Sequence, residues 1–250
     1  MKLTDQAGII TGAGSGMGTA IAERFAKAGI AGLTIADVNI EAAGLVAEDL
    51  SSRYGCEAIA VAVDVSDQDQ VEAMAAQTAE RFGRIDILIN NAGICPLVSW
   101  EETTLDDWNK ILQVNLTGPF LCTKAVAPHM QKRKYGRIVF ISSLAAFTGS
   151  IIASVAYGVS KGGVLPLMKS VAKKYAADGI LVNAVAPGSI DTPMTSSFGE
   201  EAARQLREAS LLKRQAAPAE LADTILFLVS DHSTYVTGTT LHVNGGALLV

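Results

Sequence analysis

Short hydrophobic runs alternate with longer stretches in which apolar residues recur at helical spacing, along the whole chain. The short runs are typical of buried strands, and the longer stretches are typical of helices that bury one face. The runs predict strands at residues 8–10, 33–36, 58–63, 85–89, 137–141, 180–185 and 240–243. The longer stretches predict helices at residues 19–28, 41–54, 68–82, 105–115, 116–132, 155–177 and 219–229.

Strands that alternate with helices are joined by right-handed crossovers, which build a parallel sheet with helices on both faces. The 250 residues contain no low-complexity linker, composition shift or internal repeat that would divide them. We therefore expect an α/β fold in which residues 1–250 form a single doubly wound domain with about seven parallel strands. The polar stretch at residues 195–214 interrupts the alternation and is the predicted substrate lid.

Composition limits the partners that the chain can have. Its formal net charge of −5 gives no general attraction to nucleic acid or to an anionic membrane surface, so a small molecule or another copy of the chain is the expected partner. Three cysteines without a paired spacing suit a reducing compartment, and we expect a cytoplasmic protein. The three histidines are too scattered to form a metal site.

The longest uncharged stretch, residues 138–160, is long enough to consider as a membrane span. It contains many Ser, Thr and Gly residues, which favour a strand, a loop and the start of a helix. We expect no membrane span here.

A glycine-rich turn joins the first predicted strand to the first predicted helix. Glycines in such a turn let the backbone approach a pyrophosphate that is held at the positive end of the helix. A tight turn without any ligand would use the same residues, so the turn alone does not decide. The predicted cofactor contacts in it are Gly12, Ser15, Gly16, Met17 and Gly18.

Asp37 ends the second predicted strand, nineteen residues after Gly18. A carboxylate in this position accepts hydrogen bonds from a ribose diol and repels a 2′-phosphate. Val38 and Asn39 supply no cation for such a phosphate. The alternative role for Asp37 is to cap the following helix. We expect NAD as the cofactor rather than NADP.

Polar residues also follow the next two strands. Asp64 and Val65 follow the third strand and are predicted to contact the adenine. Asn91, Ala92 and Gly93 follow the fourth strand and are predicted to order the backbone near the sugar. By chemistry alone, both sets could equally be ordinary turn residues. Both lie at the carboxyl ends of strands, where such sheets bind their ligands.

Tyr157 and Lys161 are four residues apart in a predicted helix, so their side chains share one face. A lysine ammonium beside a phenol stabilises the phenolate and lowers the pKa of the tyrosine from its ordinary value of about 10. The tyrosine could then exchange a proton near neutral pH. The same spacing also arises by chance on solvated helices, so the pair needs support from the rest of the chain.

Further motifs accompany this pair in a fixed order. They are Thr11-Gly12-x-x-x-Gly16-x-Gly18, Asn90-Asn91-Ala92-Gly93, Asn115, Ile141-Ser142-Ser143, Tyr157-x-x-x-Lys161 and Pro187-Gly188-x-Ile190-x-Thr192. With these motifs the chain resembles the short-chain dehydrogenases/reductases over essentially its whole length. The resemblance implies a Rossmann-type NAD-binding domain, a homotetramer built partly on the helices at 116–132 and 155–177, and the interconversion of alcohols and ketones.

The resemblance also implies a role for each residue of the catalytic set. Tyr157 is the expected acid/base, and Lys161 is expected to hold the nicotinamide ribose. Ser143 is expected to polarise the carbonyl, and Asn115 to support a proton relay through water. The residues expected to close over the nicotinamide are Pro187, Gly188, Ile190 and Thr192.

The serine departs from the usual spacing of that family. Ser143 precedes Tyr157 by fourteen residues, one more than is usual. A one-residue insertion in the loop at residues 148–152 explains the difference and leaves Ser143 catalytic. Ser142 is the alternative. The position of the extra residue determines the shape of this loop, and the loop in turn shapes the substrate pocket.

The residues near these motifs predict an uncharged substrate pocket. They are Cys95, Leu97, Ser143, Ala145, Ile152, Ser154, Tyr157, Ser189, Met194 and Phe198. Because none of them is ionic, the expected substrate is a neutral, fairly apolar secondary alcohol or its ketone rather than a carboxylate.

Two other functions compete with an NAD-dependent alcohol dehydrogenase. One is a 3-oxoacyl carrier-protein or 3-oxoacyl-CoA reductase, because residues 238–246 resemble the tail of those enzymes and Lys132-Arg133-Lys134 could meet an acidic carrier. Those reductases usually prefer NADPH, with cations where this chain has Ser15 and Asp37, and have a basic residue in place of Asp178. The other is a non-catalytic dinucleotide-binding regulatory protein, which the complete catalytic set disfavours.

Overall fold

A seven-stranded parallel sheet forms the centre of the computed structural model, which describes residues 1–150 and 153–250. The strand order is β3-β2-β1-β4-β5-β6-β7, so the chain winds outwards from β1 in one direction and from β4 in the other. This confirms the predicted doubly wound sheet. The strands are β1 (Ala7–Thr11), β2 (Gly32–Asp37), β3 (Glu57–Ala62), β4 (Ile87–Asn90), β5 (Gly136–Ile141), β6 (Ile180–Pro187) and β7 (Thr240–Val243).

Helices cover both faces of the sheet. They are α1 (Gly16–Lys27), α2 (Ile40–Tyr54), α3 (Gln68–Phe82), α4 (Leu105–Leu112), α5 (Gly118–Arg133), α6 (Ala145–Thr148), α7 (Val155–Tyr175), α8 (Pro193–Ser196), α9 (Glu200–Ala209) and α10 (Pro218–Val229). A wider π-helical turn at Gln113–Thr117 joins α4 to α5, where the hydrophobic pattern predicts two ordinary helices. Helix α9 lies within the predicted lid.

A buried hydrophobic cluster lies on each face of the sheet. Phe25 of α1 and Leu226 of α10 are fully buried on one face, and Met74 of α3 and Val126 of α5 are fully buried on the other. Burial of each such side chain contributes roughly 1.5–3 kcal/mol. Because both faces are covered, the strands are nearly continuous hydrophobic runs, which is why they stand out in the sequence.

The uncharged stretch at residues 138–160 divides among β5, α6 and the start of α7. No helix of the described ranges is long and apolar enough to cross a bilayer. One predicted pocket residue, Ile152, lies outside the described residues.

The turn that follows β1 depends on a glycine. Gly12 directly follows β1 and has a φ of +63°, a conformation that side chains with a Cβ rarely adopt. A Cβ on Gly12 would also lie 2.8 Å from the Cα of Ala92, which follows β4. The turns after β1 and β4 therefore pack directly against each other, and both lie at the carboxyl edge of the sheet.

Candidate active site

A groove of about 430 Å³ runs along the carboxyl edge of the sheet. The predicted cofactor residues that line it are Gly12, Ser15, Gly16, Met17, Asp37, Asp64, Val65, Asn91, Ala92, Gly93 and Thr192. These residues come from five separate segments of the chain, each at or beyond the carboxyl end of a strand, and the fold brings them together. A volume of this size is within the usual range for small-molecule and cofactor sites.

The amino terminus of α1 opens into this groove. Ser15 occupies the capping position, but its side chain caps no backbone N–H, and the first turn of α1 contains no acidic residue. The free N–H groups and the helix dipole therefore favour a bound phosphate group. Gly18 does not line the groove. It is buried against Gly12, whose carbonyl oxygen would lie 2.2 Å from a Cβ on Gly18, so Gly18 packs the helix onto the strand.

The Asp37 carboxylate lies in the same groove and is already fixed in direction. Its Oδ2 accepts a hydrogen bond from the Gly14 N–H at 2.9 Å, and its Oδ1 accepts one from the Asn39 N–H at 3.0 Å. The cap of α2 is Asn39, whose side chain accepts from the Ala42 N–H. Asp37 is therefore not the cap of α2, and this alternative role is wrong. The remaining lone pairs of Asp37 are available to a ribose diol.

Several groove residues carry no sequence motif and escape prediction, and Lys110 and Val114 are two of them. Lys110 of α4 and Val114 of the π turn both line the groove, and the four-residue spacing between them places them on one helical face. Their spacing is the only signal in the sequence. It shows that the two side chains share a helical face, but not that this face lines the groove. Lys110 brings a positive charge to a groove that also contains Asp37 and Asp64.

A smaller cavity of about 80 Å³ continues from this groove, and Met17, Asn91 and Gly93 line both. It brings together three members of the predicted catalytic set with the residues predicted to cover the nicotinamide. They are Ser143, Tyr157, Lys161, Pro187, Gly188, Ile190 and Thr192. The cavity is therefore placed to receive the reactive end of a dinucleotide that lies in the groove.

The two adjacent serines of this cavity differ in what their hydroxyls bind. The buried Ser142 Oγ donates a hydrogen bond to the Lys161 carbonyl oxygen at 2.8 Å, so it ties β5 to α7. The Ser143 Oγ accepts from the Ala145 N–H at 3.1 Å and lies beside the Tyr157 phenol. Of the two hydroxyls, the Ser143 hydroxyl is the one positioned to meet a substrate oxygen.

Burial is the main influence on both titrating groups. It raises the pKa of Tyr157 well above its ordinary value, Cys95 adds to this rise, and the Ser143 hydroxyl opposes it. Burial likewise lowers the pKa of Lys161 to about 8. The Lys161 Nζ donates to the Ile141 carbonyl oxygen at 2.8 Å. The expected lowering of the tyrosine pKa by lysine is therefore corrected, because burial of the phenolate sets the direction and Ser143, not Lys161, is the group that opposes it.

The buried ammonium of Lys161 has a consequence for stability. Because the pKa of Lys161 is about 8 in the folded protein and 10.5 ordinarily, the unfolded chain binds more protons between these values. Folding of the wild type therefore becomes more favourable as the pH rises through this window. We expect Lys161→Met to gain about 3 kcal/mol of stability relative to the wild type below about pH 8, and to lose this gain above about pH 10.

Urea unfolding of both proteins across this pH range, without added nucleotide, measures that difference. Other groups that titrate cancel in the comparison, and the hydrogen bond lost at Ile141 adds only an offset independent of pH. A stability difference that stays constant with pH would contradict a buried, charged Lys161.

Asn115 is fully buried in the π turn and holds the backbone beyond β4. Its amide accepts from the Ile94 N–H at 2.8 Å, and donates to the Ile94 carbonyl at 2.9 Å and to the Ser160 Oγ at 3.1 Å. A Cβ on Gly93 would lie 3.2 Å from the Asn115 Oδ1 and 3.3 Å from the Lys161 Nζ. Asn115 and Lys161 therefore flank Gly93, and a side chain at this position would have to displace one of them.

The predicted substrate pocket is only partly assembled from the predicted residues. Ser143, Tyr157 and Met194 line the catalytic cavity. Cys95 lies near enough to raise the pKa of Lys161, and burial raises the pKa of the Cys95 thiol itself to about 11. Three other predicted residues lie outside the lining of this cavity in the part of the chain that the structure describes: Leu97, Ala145 and Phe198.

Two predicted pocket serines turn away from the cavity. Ser154 is fully buried, and its hydroxyl caps α7 by accepting from the Ala156 N–H. The Ser189 Oγ accepts from the Gln215 Nε2 at 2.8 Å and lines a separate cavity. Both positions are thereby corrected, because Ser154 is buried at the start of α7 and Ser189 faces the separate cavity, and neither lines the catalytic cavity. Among the described residues, no group of His, Cys, Asp and Glu side chains could hold a metal ion.

Comparison with known proteins agrees with this geometry. A family model described as enoyl-(acyl carrier protein) reductase matches residues 12–247. The chain is 39% identical over 246 residues to the 3-oxoacyl-[acyl-carrier-protein] reductase FabG of Aquifex aeolicus, with 98% of each chain covered. It is 38% identical over 247 residues to the meso-2,3-butanediol dehydrogenase of Serratia marcescens, covering 99% of this chain and 96% of that one.

A solved structure, that of levodione reductase, superposes with a TM-score of 0.93. It is 34% identical, and the alignment covers 98% of both chains. The relatives thus include both a reductase of carrier-bound substrates and oxidoreductases of small free molecules.

Proposed function

The chain belongs to the short-chain dehydrogenase/reductase family, and on that premise we propose that it interconverts a neutral, fairly apolar secondary alcohol and its ketone with NAD. The observation that carries the proposal is the assembly of Ser143, Tyr157 and Lys161 in one cavity, at the end of a groove that contains Asp37. The groove and the free amino terminus of α1 fit a dinucleotide, and the cavity supplies the acid/base.

Oxidation of an alcohol requires that its hydroxyl proton and its carbinol hydride leave together. The nicotinamide supplies the hydride acceptor when it is bound. The Tyr157 Oη takes the hydroxyl proton in oxidation and returns it in reduction. The Ser143 Oγ donates a hydrogen bond to the substrate oxygen and stabilises the charge that develops there. Its bond from the Ala145 N–H does not interfere, because that bond uses a lone pair of the Ser143 Oγ and not its proton.

Lys161 and Asn115 act behind these two groups. The Lys161 ammonium would hold the ribose hydroxyls, and its charge would favour the phenolate of Tyr157 once the site is closed to water. Asn115 keeps the Ile94 carbonyl and Ser160 in place. Its further proposed role is to support the relay of protons between the site and solvent. Together they set where the proton of Tyr157 can go.

NAD is the proposed cofactor because the carboxylate of Asp37 faces the ribose end of the groove. A 2′-phosphate there would meet a fixed negative charge, since both Asp37 oxygens are held by backbone N–H groups. Lys110 also lines this groove and could pair with a phosphate. It belongs to α4, however, and not to the turn that contains Asp37. The balance supports NAD.

A 3-oxoacyl carrier-protein reductase is the second candidate, and the similarity to such an enzyme from Aquifex aeolicus favours it. The basic residues expected to meet an acidic carrier argue against this candidate, because most of them already have acidic partners. Lys134 forms an ion pair with Asp178, and Arg133 lies 3.7 Å from the buried Asp86 carboxylate. Two of the three basic residues in the Lys132-Arg133-Lys134 run are thus already paired with acids.

We also propose a cytoplasmic homotetramer, in keeping with the family. Phe120 of α5 and Val159 of α7 are exposed apolar residues on the two helices expected to form part of the subunit contact. A neutral substrate is supported by the lining of the catalytic cavity, in which Lys161 is the one ionisable side chain besides Tyr157 among the described residues.

A panel of substrates tests the proposal directly. We expect measurable oxidation of neutral secondary alcohols with NAD, and lower kcat/KM with NADP by about tenfold or more, since repulsion at Asp37 costs at least about 1.4 kcal/mol. Acetoacetyl thioesters with NADPH form the comparison. Preferred turnover of those thioesters with NADPH would favour the carrier-protein reductase. Thermal stabilisation by NAD without any turnover would favour a non-catalytic dinucleotide-binding protein.

A further inference from the structure

Ser143 is followed by a short helix that buries none of its own residues. This helix, α6, is the single turn Ala145–Thr148. A turn of this length is not stable on its own, so contacts with other elements must fix its position. The Ser143 hydroxyl depends on that position, because its Oγ accepts from the Ala145 N–H at 3.1 Å. The Ser143 carbonyl likewise accepts from the Ala146 N–H at 3.1 Å.

The start of α6 is held by β6 and α7. The Leu144 N–H donates to the carbonyl of Pro187, the last residue of β6, at 2.8 Å. A Cβ on Gly158 of α7 would lie 3.2 Å from the Ala145 carbonyl oxygen, so this glycine lets α6 and α7 approach closely. These contacts leave the far end of the turn, at Phe147, to another element.

The far end of α6 meets the last strand of the sheet through two rings. The centroid of the Phe147 ring lies 4.6 Å from that of His242, and the ring planes are inclined by 54°. Tilted rings at this distance attract each other. His242 belongs to β7, where it pairs with Ala186 of β6. The segment that follows β5 therefore extends past β6 to β7, and the two rings fix its end.

Hydrogen bonding does not account for His242 at this place in β7. Its Nδ1 is buried and has no hydrogen-bond partner in the part of the chain that the structure describes. A buried nitrogen without a partner costs stability, and an apolar ring would avoid that cost. The contact with Phe147 is the role that the surroundings of His242 support. His242 also lies in the tail at residues 238–246, which the catalytic set leaves unexplained.

From these contacts we propose that Phe147 and His242 are positioning residues, which hold α6 and thereby direct the Ser143 hydroxyl toward the substrate oxygen. The proposal rests on the proposed function, in which Ser143 stabilises the charge on that oxygen. Without either ring, α6 can shift, and the Ala145 N–H that binds the Ser143 Oγ shifts with it. Within the described ranges, neither ring lines the cofactor groove or the catalytic cavity, so both act through Ser143.

Oxidation of a neutral secondary alcohol with NAD tests this role. We expect Phe147→Ala and His242→Ala each to lower kcat by roughly tenfold, a part of the roughly 10²- to 10³-fold that loss of a whole donor costs. The KM for the alcohol changes by less than about twofold, since the donor acts mainly in the transition state. Phe147→Tyr and His242→Phe keep an aromatic ring and retain at least about half of the wild-type kcat.

His232→Ala is the matched control, because His232 is exposed in the turn after α10 and lies outside the ring contact. It keeps wild-type turnover. The Tm of every variant, with and without NAD, reports folding and cofactor binding separately from turnover, and NAD should raise the Tm of the ring variants as much as that of the wild type. With a truncation on each side of the contact, one that folds poorly leaves the other to decide.

A Ser143→Ala background separates positioning from a general loss of structure. If the rings act through Ser143, removing either of them from Ser143→Ala lowers the single-turnover rate by less than about twofold. An equal tenfold loss in both backgrounds would overturn the proposal, because the rings would then act independently of Ser143. Wild-type kcat in Phe147→Ala and His242→Ala, or a rise in KM alone, would also overturn it.

Failure of this role is distinguishable from failure of the proposed function. If the wild type oxidises neutral alcohols with NAD and the ring variants match it, the positioning role is refuted while the proposed function stands. If the wild type oxidises none of them, the proposed function fails, and the positioning role fails with it.

Discussion

Tyr157→Phe is expected to lower kcat for alcohol oxidation by roughly 10³-fold while the affinity for NAD changes little. The substitution removes only the phenolic oxygen, which is the proposed acceptor of the substrate proton. The aromatic ring, which fills the cavity beside Ser143, remains.

Steady-state kinetics with a secondary alcohol, together with NAD titration followed by Tm, measures both parts of this expectation. Tyr175→Phe is the matched control, because Tyr175 ends the same helix, α7, and lies outside the lining of the cavity. It should keep wild-type turnover. Retention of more than about a tenth of wild-type kcat by Tyr157→Phe would remove Tyr157 from the proposed acid/base role.

Asp37→Ala is expected to reverse or abolish the preference for NAD, with a change of about 100-fold in the ratio of NAD to NADP affinity. Loss of hydrogen bonds to a charged group costs roughly 1.5–3 kcal/mol, which weakens NAD binding. Loss of the negative charge also removes the repulsion of a 2′-phosphate, which strengthens NADP binding. Both effects move the ratio in the same direction.

The backbone bonds of Asp37 require a control for local structure. Asp37→Asn keeps an oxygen for the Gly14 N–H but loses the charge, so it should relax the discrimination against NADP with less damage to NAD binding. Asp69→Ala, at an exposed carboxylate in the first turn of α3, should change neither affinity. A wild-type preference for NADP, or an unchanged ratio in Asp37→Ala, would contradict the role of Asp37.

The fold could be predicted because its strands are buried on both faces. A run such as residues 138–141 then appears as an uninterrupted hydrophobic stretch, and polar or glycine residues mark where the strands end. The carboxyl ends of parallel strands meet at one edge, so the order of the motifs also predicted that their residues would converge. The π turn at Gln113–Thr117 escaped prediction, since its extra residue per turn leaves no mark on a short pattern.

The direction of individual side chains could not be predicted in the same way. Ser154 and Ser189 lie near the motifs in sequence, but one hydroxyl caps α7 and the other accepts from Gln215. Such choices depend on which partners the fold places nearby. The spacing of Tyr157 and Lys161 likewise reveals that they share a helical face, but not how deeply they are buried. Burial is what moves their pKa values furthest.

Single-turnover formation of reduced cofactor tests the central claim most directly. Wild-type protein loaded with NAD is mixed with a neutral secondary alcohol, and the near-ultraviolet absorbance of NADH is followed. The account predicts one NADH per active site, a slower rate when the carbinol hydrogen is deuterium, and a rate roughly 10³-fold lower in Tyr157→Phe. Absence of NADH with every neutral alcohol tested, or an equal rate in Tyr157→Phe, would contradict it.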